Sequence, residues 1–221
     1  VKPEDIFIWY NKPEDGKQIN LFDIVDTNYK VAMCNHNFKF HGRFAYGLLA
    51  RTEYVAFFDD DTIPNKRWFE NCLNTINSGF DGILGASGVC LRADDYANSY
   101  KIGWNAKHSN VVEEVDLVGH AWFMKKKYLN YLWIEDPISW ENGEDIQLSY
   151  FAQKYGGIKT FVPPHPTNDQ TLWGSNPITG NKYGNDIHGT SVGSSVINHT
   201  NLRNSIVKEQ IKRGWKLVRH R

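Results

Sequence analysis

Residues 54–61 read YVAFFDDD. An apolar run ends in three adjacent carboxylates, Asp59, Asp60 and Asp61, whose like charges repel at close range. A folding chain gains little from such a cluster in its interior, so a ligand is the natural reason for it. In open α/β sheets, ligands bind beyond the carboxyl ends of the strands. If the extended conformation continues, Asp59 and Asp61 share one side and Asp60 points to the other. Two carboxylates aimed into a crevice suit a hard divalent cation, which neutralises their repulsion and can bridge to a phosphate. The simpler alternative is a strand-to-helix turn with one aspartate as cap. It accounts for one acid and leaves two without a purpose.

The elements around the cluster alternate. IFIWY (6–10), KVAMC (30–34) and YVAFF (54–58) are compact β-branched and aromatic runs that predict buried strands. HGRFAYGLLART (41–52) has helical spacing. After Pro64, NKRWFENCLNTINSG predicts a helix with Asn65 as cap, an apolar stripe of Trp68, Phe69, Cys72, Leu73 and Ile76, and a stop at Gly79. DGILGASGVCL (81–91) and VDLVGHAWFMKK (115–126) follow as strands, GEDIQLSYFAQKYGG (143–157) as a helix, and IKTFVPP (158–164) as a strand closed by prolines. This βαβ rhythm predicts an α/β domain with a largely parallel sheet. Residues 165–199 are rich in Gly, Asn, Ser, Thr and Pro, and with Trp173 and His188 they suit a lid that orders over a ligand. RNSIVKEQIKRGWKL predicts a C-terminal helix.

Composition narrows the partners. The 221 residues fit one large domain, and basic and acidic residues balance at 25 each. No basic face is forced, which argues against nucleic acid or an anionic membrane as partner. The longest apolar runs fall well short of the ~18 residues of a membrane span, and VKPEDIFIWY lacks the start of a signal peptide. Cys34, Cys72 and Cys90 are widely spaced and form no CxxC pair, so a reducing, cytoplasmic compartment is the expectation. A lumenal catalytic fragment of a secretory-pathway enzyme is the alternative.

An apolar strand ending in Asp-x-Asp, then a short turn, a proline and a Trp-bearing helix, resembles the metal-binding motif of glycosyltransferases of the GT-A fold. NHNFKFHGRFAYGLLARTEYVAFFDDD is similar to the Asn…Arg-Phe segment that precedes the aspartates in exostosin-like transferases, where such residues contact the nucleotide. VDLVGHAWFMKKKYL resembles the strand forming the acceptor-side wall, and GEDIQLSYFAQKYG resembles the Glu-Asp motif opening a helix beside the acceptor. The likeness covers roughly residues 5–165. The whole is also similar to transferase domains with which large algal viruses decorate capsid protein, which would place it in a host cytoplasm.

The resemblance implies a single GT-A domain with a Rossmann-like, mostly parallel nucleotide-binding sheet flanked by helices. Residues 1–92 would form the nucleotide-sugar half and 93–221 an irregular acceptor-side half. It implies a UDP-sugar donor, a glycan or glycoprotein acceptor, and Mn2+ or Mg2+ as cofactor. Asp61 would ligate the metal, and Asp59 would lie near the ribose or a metal-bound water. Asp60 would serve the turn at the edge of the nucleotide-sugar site. Glu144 and Asp145 are the candidate bases for the acceptor hydroxyl, with Asp145 favoured by the resemblance. Both are also ordinary first-turn helix acids. Trp140 could stack on a sugar or sit in the core. His165, just past IKTFVPP, is the expected third metal ligand, and His188 is a second choice; an imidazole would favour manganese. His120 alternates with Trp122 and Met124, which fits core packing or contact with the donor sugar. Trp9, Tyr10 and Asn11 end the first strand, where the nucleotide lies in this fold, and one of the two aromatics must be core. Arg43 carries a fork suited to a diphosphate, or is an exposed helix charge.

Two rival readings remain open at this level. AFFDDDTI resembles the first motif of haloacid-dehalogenase-type phosphatases, with Asp59 as nucleophile, Asp61 as acid/base and magnesium as cofactor. That motif carries a glycine where Thr62 stands here. A non-catalytic carbohydrate-binding domain could use the eight Trp, although such modules are usually all-β. Walker A and HExxH motifs are absent from the sequence.

Overall fold

A computed structural model of the chain describes residues 2–13, 28–92, 95–176, 178 and 197–220. Two sheets organise it. The smaller is a parallel pair, β1 (Phe7–Tyr10) and β2 (Lys30–Met33). The larger has six strands: β3 (Tyr54–Phe58), β4 (Gly82–Arg92), β5 (Asp95–Gly103), β6 (Glu113–Val115), β7 (Leu117–Lys125) and β8 (Lys159–Val162). Its order is β3-β7-β4-β8-β6, with β5 also pairing β4.

The expected α/β fold is present, but the large sheet is mixed. Only β4 and β8 run parallel within it, while the β3–β7, β4–β7, β4–β5 and β6–β8 pairs are antiparallel. The sequence from 95 to 125 explains this. The short return from β4 to β5 leaves no room for the helical crossover that parallel neighbours require, while β6 and β7, one residue apart in sequence, pair with different strands, β8 and β4. β5 itself has the polar sequence DYANSYKIG, without the apolar alternation that marks a strand from sequence.

Helices cover both faces of the large sheet. On one, α1 (Gly42–Gly47), a 3-10 run over Lys126–Trp133, and α3 (Glu144–Gly156) enclose Phe44, Val118, Trp122, Met124, Leu129 and Leu148. On the other, α2 (Trp68–Asn77) lays Trp68, Cys72 and Ile76 onto Leu84, Ala121 and Phe161. The stripe follows the helical i, i+4 spacing, and Gly79 ends it at φ +97°. The expected Asn65 side-chain cap is not made. Arg67 holds the N-cap position, and Asn65 instead accepts from Trp68 N through its backbone carbonyl. The C-terminal helix α4 (Ile197–Lys212) starts earlier than the sequence suggested and packs Ile206 and Val207 against Ile146, Tyr150 and Phe151 of α3.

The lid expected over 165–199 is corrected for its first part. Trp173 is buried, donates from Nε1 to Pro166 O and stacks on His108 with ring centroids 4.5 Å apart. Asn65 N donates to Trp173 O, and Gly174 abuts the Trp68 ring. This stretch is a packed shelf on α2. His188 and the rest of residues 179–196 lie outside the described residues.

Candidate active site

β3 runs apolar to Phe58, and the chain then turns sharply, with Thr62 N donating to Asp59 O at 3.0 Å. The turn ends the extended conformation on which the expected division of the three acids rested. Asp60 is exposed, and Asp59 and Asp61 are half-buried. Asp61 accepts from the Thr62 hydroxyl at 3.2 Å. Burial, chiefly, raises the pKa of Asp59; Arg43 opposes this, and Asp61 and Asp60 add to it.

Arg43 joins the two acidic motifs. Its Nη1 lies 2.7 Å from Asp59 Oδ1 and its Nη2 3.2 Å from Glu144 Oε1. The guanidinium rests on the rings of Phe44, Trp122 and Phe40, 5.0, 5.1 and 5.7 Å from their centroids. An arginine on the first turn of α1 thus bridges the end of β3 to the start of α3. It is not an exposed helix charge.

α3 opens through Gly143, whose φ of +93° admits the sharp entry that a Cβ would obstruct. Both acids of its first turn are buried. Glu144 has one oxygen on Arg43 and no partner for Oε2. Burial and then the Asp145 charge push its pKa up to about 7, against the pull of Arg43 and Arg203. Asp145 accepts from Ile146 N through Oδ1 and forms an ion pair through Oδ2 with Arg203.

His120 stands at a β-bulge. Between the Gly85–Trp122 and Ser87–Gly119 pairs, His120 and Ala121 face Ala86 alone. His120 has φ +64° and stacks on Trp104, itself at φ +48°, with centroids 4.2 Å apart. The bulge turns the imidazole away from the core packing of its neighbours Trp122 and Met124. Burial lowers its pKa, while Asp61 and Asp145 draw it upward, which sets the ring within electrostatic reach of both acidic motifs. Non-glycine residues in the left-handed region are strained, and such strain clusters at functional sites.

The remaining expected residues divide. Trp140 is 57% exposed, so the core reading fails, and its ring covers buried His41 at 5.0 Å. Burial and the neighbouring Arg43 push His41 down to about 4. His165 is buried with Nδ1 3.0 Å from Pro163 O and Nε2 3.0 Å from Lys107 O. A carbonyl oxygen stands against each ring nitrogen and the ring is buried, so neither nitrogen is open to a metal in this arrangement, and His165 acts as a buried strut in place of its expected ligand role. Among the described residues, no three His, Cys, Asp or Glu side chains converge as a ready-made metal cage. Asn11 accepts from Trp9 Nε1 and Phe38 N and donates to Lys39 O. Its polar atoms hold the loop after β2, and Trp9 packs on Gly42 and Tyr46. Tyr10, half-buried, ends β1 beside them.

A cleft of about 360 Å3 opens at the carboxyl ends of β1 and β2, lined by Lys12, Asn35, His36, Asn37, Lys39 and Glu141. Sequence reasoning missed Lys12, Asn35 and His36. Their only signal was position, directly after two strand ends.

A mixed sheet with helices on both faces, strand ends opening on a polar cleft, and a strand-end Asp-x-Asp tied to a helix-opening Glu-Asp define a glycosyltransferase of the GT-A fold. The comparison with known families agrees. The family model of glycosyl transferase family 2 matches residues 18–133, just over half of the chain, and the chain belongs to that family. Membership in a transferase family sets aside the phosphatase and the non-catalytic binding module. No curated protein matches the chain. Among the described residues, no helix is long and apolar enough to cross a membrane. The matched span contains Asp59–Asp61 and His120 and ends before Glu144.

Proposed function

We propose that this chain transfers a sugar from a UDP-sugar to a hydroxyl of a glycan or glycoprotein, with Asp59 and Asp61 holding a divalent cation. The observation that carries the reading is the bridge Asp59–Arg43–Glu144, which joins a donor-side and an acceptor-side acid through one cation. The residues present fit a hard divalent ion. Asp59 and Asp61 supply oxygen donors, and burial first, with the charges of Asp61 and Asp60 adding to it, raises the pKa of Asp59, a penalty on its ionised form that a cation relieves. When bound, that ion would screen the charge developing on the departing diphosphate.

The chain's own residues supply the rest. The cleft at the ends of β1 and β2 takes the nucleoside, with Lys12 and Lys39 at its edge. Arg43 turns its fork from the two carboxylates toward the diphosphate, for which planar, bidentate pairing is suited. Trp140 offers its exposed face to a sugar of the acceptor. The stacked His120–Trp104 pair walls the space between the motifs. Asp145 takes the proton of the acceptor hydroxyl as its oxygen bonds to the anomeric carbon and the UDP oxygen leaves. A single displacement of this kind inverts the anomeric centre.

One observation favours a second assignment within the same reaction. Glu144 has an oxygen without a partner and a pKa near neutrality, which suits a proton acceptor. Comparing Asp145→Asn with Glu144→Gln separates the two. The overall reading is tested by UDP release from a panel of UDP-sugars, with and without manganese. Metal-dependent release from at least one donor is expected; release from none, alongside release from a GDP- or CMP-sugar, would overturn the choice of nucleotide.

A further inference from the structure

The first turn of α3 is gripped from two sides by two arginines. Arg43 holds Glu144 from α1. Arg203 holds Asp145 from α4, where Nη2 pairs with Asp145 Oδ2 and Nη1 donates to Asn142 Oδ1 at 2.8 Å. One planar guanidinium therefore spans the Gly143–Glu144 corner and fixes the residue on either side of it. Arg203 is 6% exposed, and its guanidinium lies 4.4 Å from the centroid of the Tyr96 ring. Asn204 accepts from Tyr96 N at 2.8 Å, which ties the same turn of α4 to β5. Ile206, one turn on from Arg203, fills the space at Gly143, where a Cβ would come within 2.5 Å of Ile206 Cδ1.

We propose that Arg203 is a positioning residue for the acceptor step, acting through Asp145; this rests on the reading of Asp145 as the base. Three features argue for it. A buried ion pair is a weak source of net stability, since apolar residues of similar volume stabilise as well or better. A fork bonded at two points fixes orientation as well as charge. The residues it fixes, Asn142 and Asp145, frame the corner that carries both candidate acids. Arg203 on Oδ2 and Ile146 N on Oδ1 fix the plane of the carboxylate, so the remaining lone pairs of its oxygens meet the acceptor in a defined direction. A small misplacement of such a group costs on the order of 10²-fold in rate.

The test uses the full chain and the UDP-sugar, among UDP-glucose, UDP-galactose and UDP-N-acetylglucosamine, that gives the fastest UDP release with manganese and water as acceptor. Arg203→Ala is expected to lower kcat by about 10²-fold while the Kd for UDP–manganese, measured by calorimetry, stays unchanged. Millimolar guanidinium ion should restore a large part of kcat by filling the vacated space. Arg203→Lys keeps the charge but loses the fork, and should fall between wild type and the alanine variant. A wild-type kcat in Arg203→Ala overturns the proposal. So does equal loss of kcat and UDP affinity without rescue by guanidinium, which is the pattern of general damage to the fold. If the alanine variant does not fold, Arg203→Lys decides alone: a lowered kcat with unchanged UDP affinity supports the role, and an unchanged kcat rejects it. Asp145→Asn in parallel keeps the two readings apart. Normal turnover there removes Asp145 as base, whatever Arg203 does.

Discussion

Glu144→Gln should change how stability depends on pH. Glu144 is 4% exposed, with Oε1 on Arg43 and Oε2 without a partner. Burial first, and the charge of Asp145 second, raise its pKa from the ordinary 4.5 to about 7. A folded-state pKa above the unfolded one means that the folded protein holds the proton more tightly. The stability it contributes is fully present below pH 4.5 and is lost as the pH rises from 4.5 through about 7. At about 1.4 kcal/mol per pH unit, that rise corresponds to roughly 3 kcal/mol. Glutamine keeps an acceptor for Arg43 and carries no titrating proton. The stability of Glu144→Gln relative to wild type should therefore improve by roughly 3 kcal/mol between about pH 4 and about pH 8. Urea unfolding followed by far-UV circular dichroism across that range measures it. Two curves that stay parallel would refute the reasoning, because Glu144 would then titrate alike in both states.

Asp61→Asn should abolish manganese-dependent UDP release and leave the melting temperature unchanged or raised, since one of three repelling charges is removed; normal turnover would exclude Asp61 as a ligand. Asp145→Asn should cut sugar transfer by about 10²-fold or more and keep the affinity for UDP–manganese, because Asp59, Asp61 and Arg43 are untouched. It should also lower the unfolding midpoint, since Arg203 loses its buried counter-ion, and calorimetry with thermal melting checks both parts. Trp140→Ala should alter stability by less than about 0.5 kcal/mol, as expected for an exposed site, while slowing transfer to glycan acceptors more than hydrolysis; equal effects on both would remove Trp140 from the acceptor side.

Much of this architecture can be read from local signals. YVAFF and its three aspartates form the predicted strand end, and Trp68, Cys72 and Ile76 form the predicted stripe, because both patterns depend on near neighbours. The direction of the strands cannot be read that way. β5 is polar in sequence while β7 is apolar, yet both pair antiparallel with β4, so that pairing is decided by tertiary contacts. The candidate site divides along the same line. The acidic motifs announce themselves by type and spacing. Arg203 does not, because it lies 58 residues from Asp145 in a helix whose sequence looks like any solvated amphipathic segment. His165 misled for the converse reason: its position after a strand suggested a ligand, and only the two carbonyls of Pro163 and Lys107 show how its nitrogens are used.

Gly42 seats α1 against the Trp9 indole of β1, directly before Arg43. It is the first residue of α1, and a Cβ there would stand 2.3 Å from the Trp9 indole. The next residue is Arg43. The surface on which β1 leans and the guanidinium that spans both acidic motifs are thus adjacent links of one short, stiff helix. Because the Trp9 indole fills the space at Gly42, a group added there is expected to shift the start of α1, and Arg43 with it, as a lever would. A single added methyl would pry the lever from its seat. Gly42→Ala should therefore weaken UDP binding and turnover together, although residue 42 itself contacts neither Asp59 nor Glu144. Loss of only one of the two would show that the arm bends.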